Sequence, residues 1–462
     1  MTPTDLFIAG RWTPAASGRR IPVLNPADGT EIASVAAGDT ADGLAAVAAA
    51  HDAARDWAAT APRTRGEILR RAFTLMTERA DEIADLIVAE NGKSRADALS
   101  EVAYAAEFFR WYSEEAVRID GDLRTAPAGG NKILVMRQPV GVAVLVTPWN
   151  FPAAMATRKI GPALAAGCTV VLKPALETPL TALVVAEILA EAGVPAGVVN
   201  VVVAERSGPV VSAMLHDPRV AKLSFTGSTE VGAILLREAA DGIISCSMEL
   251  GGNAPFIVFA DADLDAAIEG ALIAKMRGGG QACTAANRFY VESAVADEFA
   301  TRLAAALKDQ ETVLISGSAR DRVHGLVTGG TGKVLAGGQL PDGPGFAYPA
   351  TVLADVPAEA PILREEIFGP VAPIVRFDGE AAAIEAANDT PHGLAAYVYT
   401  RDLARGLRVG ERLDFGMVAL NRGLVSDPAA PFGGVKQSGV GREGGHDGLL
   451  EFLETKYIAT SW

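Results

Sequence analysis

From Val142 onward, short apolar runs alternate with longer segments, and this alternation constrains the fold more than any other feature of the sequence. The apolar runs occupy residues 142–146, 169–172, 199–203 and 222–225. The segments between them have the length of helices and occupy residues 153–166, 180–192, 207–215 and 229–240. Continuous runs of Val, Ile and Leu are typical of strands buried on both faces. The pattern therefore predicts an α/β fold in which helices connect the strands of a parallel sheet.

A second stretch of the same kind lies between about Glu249 and Asn421. Its apolar runs occupy residues 256–259, 289–291, 373–377 and 395–399, and its helical segments occupy 263–277 and 295–308. The segment 311–347 is rich in glycine and poorly periodic, which predicts loops.

Three other segments have readable patterns. An apolar stripe at helical spacing from Leu69 to Ile87 predicts one helix that packs on the core, and Asn91-Gly92 is expected to end it. Residues 125–132 predict a turn between two extended pieces, and residues 450–462 predict another extended piece.

The composition excludes several classes of protein. The 462 residues include 41 Lys and Arg against 56 Asp and Glu, a net charge of −15, whereas a nucleic-acid binder needs a concentrated cationic face. Three cysteines are too few for a disulfide framework and suit a reducing compartment. The uncharged stretch 138–157 contains prolines that do not suit a membrane span. Because the N-terminus has no signal-peptide pattern either, we expect a cytoplasmic protein that binds neither nucleic acid nor membrane.

Polar residues in the loops after the apolar runs are the first candidates for chemistry, because ligands of parallel sheets bind beyond the carboxyl ends of the strands. Asn150 lies in a proline-bracketed turn and is a candidate donor to an oxyanion, or a turn-forming asparagine. Lys173 is a candidate ligand of a ribose hydroxyl or a phosphate, or a solvated surface lysine. Gly227 and Ser228 lie where a glycine turn meets a helix N-terminus, which suits a pyrophosphate, although the G-x-G-x-x-G motif is absent.

Cys283 and Glu249 are candidates for a nucleophile and a general base. Cys283 lies in a glycine-rich loop, whereas Cys168 and Cys246 lie in apolar surroundings that predict core positions. A thiol is weakly ionised at neutral pH, so it needs activation by Arg277, by backbone amides or by a neighbouring base. Glu249 follows an apolar run, where burial would raise its pKa toward the range of a general base; a capping glutamate is the alternative. The five histidines are scattered, so no metal site is expected.

Together these motifs resemble the aldehyde dehydrogenase superfamily, and the resemblance extends from residues 7–12 and 25–29 to residues 431–439. It implies a Rossmann-type cofactor domain, an α/β catalytic domain and a small β oligomerisation element. The cofactor domain is expected to comprise residues 1–119 and 138–248, and the catalytic domain residues 249–439. Residues 120–137 and 440–462 are expected to join the subunits of a homodimer or homotetramer.

The resemblance also implies a role for each candidate. Cys283 is implied to attack an aldehyde, Asn150 and the Cys283 amide to hold the oxyanion, and Glu249 to activate the water that hydrolyses the thioester. The positions implied to contact a nicotinamide cofactor are Trp149, Lys173, Leu176, Gly227, Ser228, Leu250, Glu366 and Phe368.

The choice between NAD and NADP depends on the loop after Lys173. In the family, a glutamate three residues later would bind the ribose hydroxyls and repel a 2′-phosphate. Leu176 occupies that position here and does neither, whereas Lys173 can pair with the phosphate and Glu177 opposes this by repulsion. We therefore expect NADP or NAD as the cofactor.

Within the superfamily, the motifs are most similar to those of the succinate-semialdehyde dehydrogenase group. Arg158, Arg277 and Ser426 match the positions that hold the substrate carboxylate in that group, and two arginines with a hydroxyl suit such an anion. Structural roles for both arginines are the alternative.

Several departures from that group limit the resemblance. Ala285 replaces a second cysteine, so no disulfide switch is expected at the site, and Gly278 replaces a common asparagine. Arg422 is an added cation that would suit a larger or more highly charged anion. The region 309–338 is shorter than usual, which affects local structure and possible subunit packing.

Three rival functions remain open. The arginines would tolerate another anionic aldehyde, such as glutarate semialdehyde or a phosphonate aldehyde. A CoA-acylating dehydrogenase is disfavoured by the presence of Glu249 as a base for water. A catalytically inactive binding homologue is disfavoured because Cys283, Glu249 and Asn150 are all retained.

Overall fold

The computed structural model describes residues 2–329 and 332–461 of the chain, and the α-helices of this part carry most of the connections between strands. The helices are α1 (Thr40–Ala59), α2 (Pro62–Glu78), α3 (Ala80–Asn91), α4 (Arg95–Glu115), α5 (Pro152–Ala166), α6 (Pro179–Glu191), α7 (Ser207–Leu215), α8 (Thr229–Asp241), α9 (Leu264–Met276), α10 (Ala296–Leu307), α11 (Gly317–Thr328), α12 (Glu380–Asn388), α13 (Leu403–Arg412) and α14 (Gly445–Leu450). Short 3-10 helices cover Arg277–Gly280 and Pro361–Leu363.

The strands of the same residues form two large sheets and several small ones. They are β1 (Leu6–Ile8), β2 (Arg11–Thr13), β3 (Arg20–Leu24), β4 (Glu31–Ala36), β5 (Asp122–Thr125), β6 (Lys132–Pro139), β7 (Val142–Val146), β8 (Thr169–Lys173), β9 (Val199–Val201), β10 (Val220–Thr226), β11 (Ser245–Glu249), β12 (Ala254–Val258), β13 (Ala286–Glu292), β14 (Glu311–Val313), β15 (Lys333–Ala336), β16 (Ala347–Pro349), β17 (Thr351–Ala354), β18 (Val371–Phe377), β19 (His392–Gly393), β20 (Ala395–Tyr399), β21 (Met417–Leu420), β22 (Val435–Lys436), β23 (Gly439–Val440) and β24 (Leu453–Thr460).

The first large sheet confirms the parallel arrangement predicted from the apolar runs. Its strand order is β2-β1-β9-β8-β7-β10-β11-β23, and the strands from β9 to β11 are mutually parallel. Every residue of β7 and β8 is buried, as expected for strands covered on both faces. Val146 pairs with Lys173, and Thr226 pairs with Glu249, so the carboxyl ends of these strands meet at one edge.

The second large sheet has the order β15-β17-β18-β13-β12-β20-β21, and all of its strands from β17 to β21 are parallel. A separate antiparallel sheet, β24-β6-β5, joins the predicted hairpin around residues 125–132 to the C-terminal extended piece. No helix among the described residues is both long enough and apolar enough to cross a membrane.

Two local predictions were wrong. The stripe from Leu69 to Ile87 belongs to two helices, because the chain bends at Arg79 (φ −99°, ψ 20°), whose guanidinium binds Glu82 and Glu187. The apolar period continues across the bend because both helices face the same core, and α3 ends at Asn91 with Gly92 in the left-handed region as predicted.

The segment predicted as loops, 311–347, contains helix α11 and three short strands. Ser316 caps the helix by accepting a hydrogen bond from the Ala319 amide, and Val323 and Val327 are buried. Because glycines follow the helix, its short amphipathic pattern did not predict a helix. Gly330 and Thr331 of this segment, like Met1 and Trp462 at the ends of the predicted domains, lie outside the described residues.

Two buried carboxylates cap the helices that follow β7 and β8. Helices α5 and α6 begin with proline and have no N-cap side chain of their own. Glu101 accepts hydrogen bonds from the first free amides of α5, at Ala153 (2.9 Å) and Ala154 (3.3 Å). Glu90 does the same for α6 at Leu180 and Thr181. Because buried helix ends need such partners, these carboxylates fix both helices at the edge where the candidate residues lie.

Lys93 neutralises one of these carboxylates, and its loss is predicted to destabilise the fold. Its ammonium contacts Glu101 at 2.5 Å, and both side chains are buried. Lys93→Met leaves the buried Glu101 charge without a counter-ion, so we expect a loss of about 3–5 kcal/mol in unfolding free energy. Urea denaturation followed by circular dichroism measures it.

The control is Arg63→Ala, which removes the exposed pair between Arg63 and Glu67 and is expected to cost at most about 1 kcal/mol. Equal shifts of the denaturation midpoint in the two variants would contradict a structural role for the buried pair.

Candidate active site

The loop that carries Asn150 is held on both sides by side chains from other elements. Lys93 donates a hydrogen bond to the Asn150 carbonyl (2.8 Å), and Asn91 donates to the carbonyl of Trp149 (2.9 Å). The Asn150 side chain is buried, and its Nδ2 donates to the backbone carbonyl of Gln281 (2.9 Å). This bond fixes the carboxamide beside the loop that bears Cys283.

The Cys283 loop depends on three consecutive glycines. Gly278, Gly279 and Gly280 all have positive φ (59°, 66° and 77°), a conformation that disfavours other residues. A side chain at Gly280 would also overlap the backbone at Gly369. The short helix Arg277–Gly280 therefore turns tightly before Cys283, and the three glycines determine the path of the backbone there.

The Cys283 thiol lies among charged groups. The residue keeps part of its surface accessible, yet burial raises the pKa of its thiol to about 12. The charge of Arg158 acts in the opposite direction and lowers this pKa, whereas Glu366, Glu249 and Glu443 raise it. The cation that favours a thiolate is thus Arg158, and not Arg277 as the sequence suggested. A thiol with this pKa needs a proton acceptor to become a nucleophile.

Glu249 lies at the end of β11, buried beside this loop. Burial and the charge of Glu443 raise the pKa of its carboxyl well above the usual value. Its Oε2 has no hydrogen-bond partner among the described residues, and a side chain at Gly433 would contact its Oε1. The segment after Glu249 also touches the nucleophile loop, because a side chain at Gly252 would overlap the carbonyl of Cys283.

Glu443 organises a buried cluster of charges. It forms ion pairs with Arg158 at 2.6 Å and with the neighbouring Lys159, which also donates to Ser224 (2.9 Å). Burial opposes ionisation of Glu443, but the two cations outweigh it and lower its pKa. Burial lowers the pKa of Arg158, but Glu443 outweighs it and raises that pKa. Both groups therefore remain charged, and Glu443 neutralises much of the charge of Arg158.

Arg277 differs from Arg158 in having no ion-pair partner within residues 2–329 and 332–461. It is half-buried, and its guanidinium lies over the rings of Tyr104 and Phe151. With Ile273 and Leu424 it lines a cavity of about 680 Å³. Its charge is thus available to an anion.

Ser426 and Arg422 lie in the segment after β21. Ser426 is half-buried and makes no hydrogen bond in the described part of the chain, so the structure does not join it to either arginine. Arg422 is exposed.

Lys173 lies at the carboxyl end of β8. It is buried, and burial lowers the pKa of its ammonium to about 8 while Glu177 raises it. No hydrogen bond to this ammonium forms within the described residues, although a buried cation usually has a partner. Leu176 is half-buried in the following loop and Glu177 is exposed. Lys173 is therefore arranged to meet an anion or hydroxyl from outside the chain.

Gly227, Ser228 and Leu250 lie together at the next strand ends. The Gly227 amide donates to the carbonyl of Glu249 (3.0 Å), and the ring of Phe225 occupies the space of a Cβ at Gly227. Ser228 caps α8, which places its backbone at a helix N-terminus. Leu250 is buried against Gly232 of the same helix.

Glu366 and Phe368 reach this edge from the second sheet. Glu366 accepts a hydrogen bond from the Gly252 amide (2.9 Å), and burial raises its pKa to about 7. Phe368 meets the ring of Trp149 edge to face, with centroids 5.4 Å apart. These contacts bridge the two sheets around the strand ends.

Most of the candidate residues thus lie around one sheet edge. Several side chains that contact them were not predicted from the sequence. Asn150, Glu249 and Cys283 lie on adjoining loops, whereas Ser426 has no such contact. Glu443, Lys159, Tyr104, Phe151 and Lys93 were not predicted, because their contacts come from distant segments. No group of residues suited to a metal ion occurs among the described ones. Of the other cysteines, Cys168 is buried as predicted, while Cys246 is partly exposed.

Comparison with known proteins extends these observations to the whole chain. Residues 12–458 match the aldehyde dehydrogenase family. A succinate-semialdehyde dehydrogenase of Paenarthrobacter nicotinovorans is 54% identical over 441 residues, which cover 92% of this chain and 98% of that protein. A glutarate-semialdehyde dehydrogenase of Pseudomonas putida is 48% identical over 470 residues, which cover 98% and 97%.

A solved structure shows the same fold. The crystal structure of an E. coli NADP-dependent enzyme superposes with a TM-score of 0.98 at 46% sequence identity, covering 100% of this chain and 98% of that one. The predicted fold class is confirmed.

Proposed function

The chain belongs to the aldehyde dehydrogenase family, and we propose that it oxidises succinate semialdehyde to succinate with NADP or NAD. The observation that carries this proposal is the convergence of Asn150, Glu249 and Cys283 on adjoining loops at one sheet edge. A thiol, a buried carboxylate and a fixed amide donor are the three groups that oxidation through a thioester requires.

In the reaction, Cys283 gives up its proton and its sulphur bonds to the aldehyde carbon. The charge of Arg158 favours the thiolate, and the thiol proton passes to solvent. Glu249, with its raised pKa, is a suitable acceptor for the proton of the hydrolytic water. The Asn150 amide and the Cys283 backbone N–H stabilise the oxyanion that forms. The nicotinamide, when bound, supplies the acceptor for the hydride that leaves this carbon. The resulting thioester on Cys283 is hydrolysed by water activated by Glu249, which releases the acid and restores the thiol.

The cofactor would be held by residues that fit its chemistry. The side chain of Lys173 is buried, and its ammonium has no partner among the described residues, which suits a ribose hydroxyl or 2′-phosphate. Gly227 and Ser228 offer a tight turn and a helix N-terminus to a pyrophosphate. Contacts to the remaining parts of the cofactor are assigned to Trp149, Leu176, Leu250, Glu366 and Phe368.

The substrate carboxylate would be held chiefly by Arg277. Its charge has no carboxylate partner among residues 2–329 and 332–461, whereas Arg158 is paired with Glu443 and contributes its remaining N–H donors. Ser426 is assigned as a further donor. Glutarate semialdehyde is the second candidate substrate, because it carries the same carboxylate and the relative from Pseudomonas putida is named for it.

We propose the same division of the chain as the sequence suggested. Residues 1–119 and 138–248 form the cofactor domain and 249–439 the catalytic domain, while 120–137 and 440–462 pair subunits into a dimer or tetramer. The sheet of β5, β6 and β24 supports this pairing, since it exposes Leu123 and Tyr457. Three free thiols support a cytoplasmic location.

The order of steps predicts different defects in two variants. Cys283→Ala removes the nucleophile, so we expect no turnover while cofactor still binds. Glu249→Gln keeps the nucleophile but slows hydrolysis, so a burst of reduced cofactor should precede slow steady turnover. Stopped-flow absorbance at the reduced nicotinamide band measures both. Turnover by Cys283→Ala, or normal hydrolysis by Glu249→Gln, would contradict the mechanism.

Arg277 is predicted to select anionic aldehydes. Arg277→Ala should cost roughly 2–5 kcal/mol in kcat/KM on succinate semialdehyde, because the carboxylate loses its charged partner. The loss on propanal should be much smaller. Steady-state kinetics on both aldehydes, with exposed Arg63→Ala as the control, test this; equal losses on the two substrates would refute the carboxylate assignment.

The lowered pKa of Lys173 predicts a pH-dependent cofactor preference. The ammonium is charged below about pH 8 and loses its charge as the pH rises through that value. Affinity for NADP should therefore fall above pH 8, by at most roughly tenfold per pH unit, while affinity for NAD changes less. A bound 2′-phosphate favours the charged form and raises this pKa in the complex, so the decline begins near pH 8 and levels off above the raised pKa.

Calorimetric titration between pH 7 and 9.5 measures this, and Lys173→Arg, which keeps its charge, is the control. If the affinities for NADP and NAD fall in parallel in the unaltered protein, Lys173 does not interact with the 2′-phosphate.

A further inference from the structure

Arg277 is held by aromatic rings, whereas Arg158 is held by a carboxylate. Its guanidinium carbon lies 5.2 Å from the ring centroid of Tyr104 and 4.9 Å from that of Phe151. No carboxylate pairs with it anywhere in residues 2–329 and 332–461. Aromatic faces attract cations through their quadrupole.

The difference from Arg158 shows what this arrangement achieves. Arg158 also contacts an aromatic ring, that of Phe432 at 4.2 Å, but Glu443 pairs with it and offsets its charge. A carboxylate partner would immobilise Arg277 equally well, yet it would neutralise the charge and occupy the N–H donors. Stacking on rings leaves the in-plane donors of the guanidinium open for a planar anion.

The two rings are themselves fixed, so they can position a cation. Lys93 lies over Phe151, 4.1 Å from its centroid, and Phe151 belongs to the clamped loop of Asn150. Tyr104 on α4 packs edge to face against Phe108, with centroids 4.9 Å apart. Glycine at 278 leaves room for the Phe151 ring, because a Cβ there would lie 3.2 Å from it.

We propose that Tyr104 and Phe151 are positioning residues that give the enzyme its preference for aldehydes bearing a carboxylate, by holding Arg277 in place without neutralising it. The proposal rests on the proposed function and adds the residues that make Arg277 selective. The role is assigned to the ring face of Tyr104, because the contact with Arg277 is made by the ring. The hydroxyl has no hydrogen-bond partner in the described structure, and Tyr104→Phe tests it separately.

The test compares variants of Tyr104 by their KM for succinate semialdehyde and for propanal. Tyr104→Leu and Tyr104→Met remove the aromatic face, so each should raise KM for succinate semialdehyde roughly 3- to 30-fold, the range of cation–π contacts. Their KM for propanal and their kcat should change less than about twofold, because the reacting groups are untouched. Tyr104→Phe keeps the face and should behave as the unaltered enzyme.

Phe73→Leu is the matched control. Phe73 on α2 also lies beneath two guanidinium groups, those of Arg70 and Arg110 at 5.9 and 5.8 Å, and neither arginine is a candidate site residue. Its loss should change neither KM. Circular dichroism verifies that each variant is folded.

The outcomes distinguish a failure of the positioning role from a failure of the proposed function on which it rests. If the unaltered enzyme shows no preference for succinate semialdehyde over propanal, the proposed substrate class fails. If that preference exists and Arg277→Ala removes it, but Tyr104→Leu and Tyr104→Met raise both KM values equally or not at all, the positioning role is overturned. A Tyr104→Phe variant as impaired as Tyr104→Leu would assign the effect to the hydroxyl and also overturn it.

Discussion

The buried ion pair between Lys93 and Glu101 is the contact on which the geometry of the site depends. Glu101 caps α5 through the amides of Ala153 and Ala154, and Lys93 binds the carbonyl of Asn150 immediately before that helix. One pair thus fixes the end of β7, the start of α5 and the loop between them. Because each charge is buried, neither partner can be lost without leaving the other unpaired. The loop of Asn150 is therefore held by α4 and by the segment between α3 and α4, which contribute none of the proposed reacting groups.

The same site contains three buried carboxylates whose roles differ because their neighbours differ. Glu443 has two cations against it, so its pKa is lowered and it remains ionised. Burial and the charge of Glu443 outweigh the nearby cations at Glu249, so the pKa of its carboxyl is raised. Glu366 has a backbone donor at Gly252 but is dominated by burial, which raises its pKa to about 7. Glu443 can therefore serve as a counter-ion beside Glu249, the proposed proton acceptor. Both are glutamates, and their different surroundings give them different pKa values.

Sequence patterns predicted the parts of the fold that are buried on both faces and the residues that lie in strand-end loops. The runs at 142–146 and 169–172 became β7 and β8 almost residue for residue, because continuous apolar runs leave the strongest signal. Helix α11 was not predicted, because two buried valines in a glycine-rich segment give only a weak signal in the sequence. Asn150 and Glu249 were candidates because they follow apolar runs, and Cys283 was one because it lies in a glycine-rich loop; the structure places the three near one another. Glu443 was not a candidate, because it meets Lys159 across 284 positions and no local pattern records that contact.

The distribution of charge explains how an acidic chain can select an anion. The sequence carries a net charge of −15, so an anionic substrate meets an unfavourable field at long range. Salt screens that field over about 10 Å, whereas a half-buried cation acts at contact distance with little screening. Selectivity for the carboxylate must then come from a cation that is close and not neutralised. Arg158 is paired with Glu443, whereas Arg277 has no ion-pair partner in the described part of the chain. The aromatic rings beneath Arg277 hold the cation in place and leave its charge to the substrate. A carboxylate partner would hold it equally but would neutralise that charge.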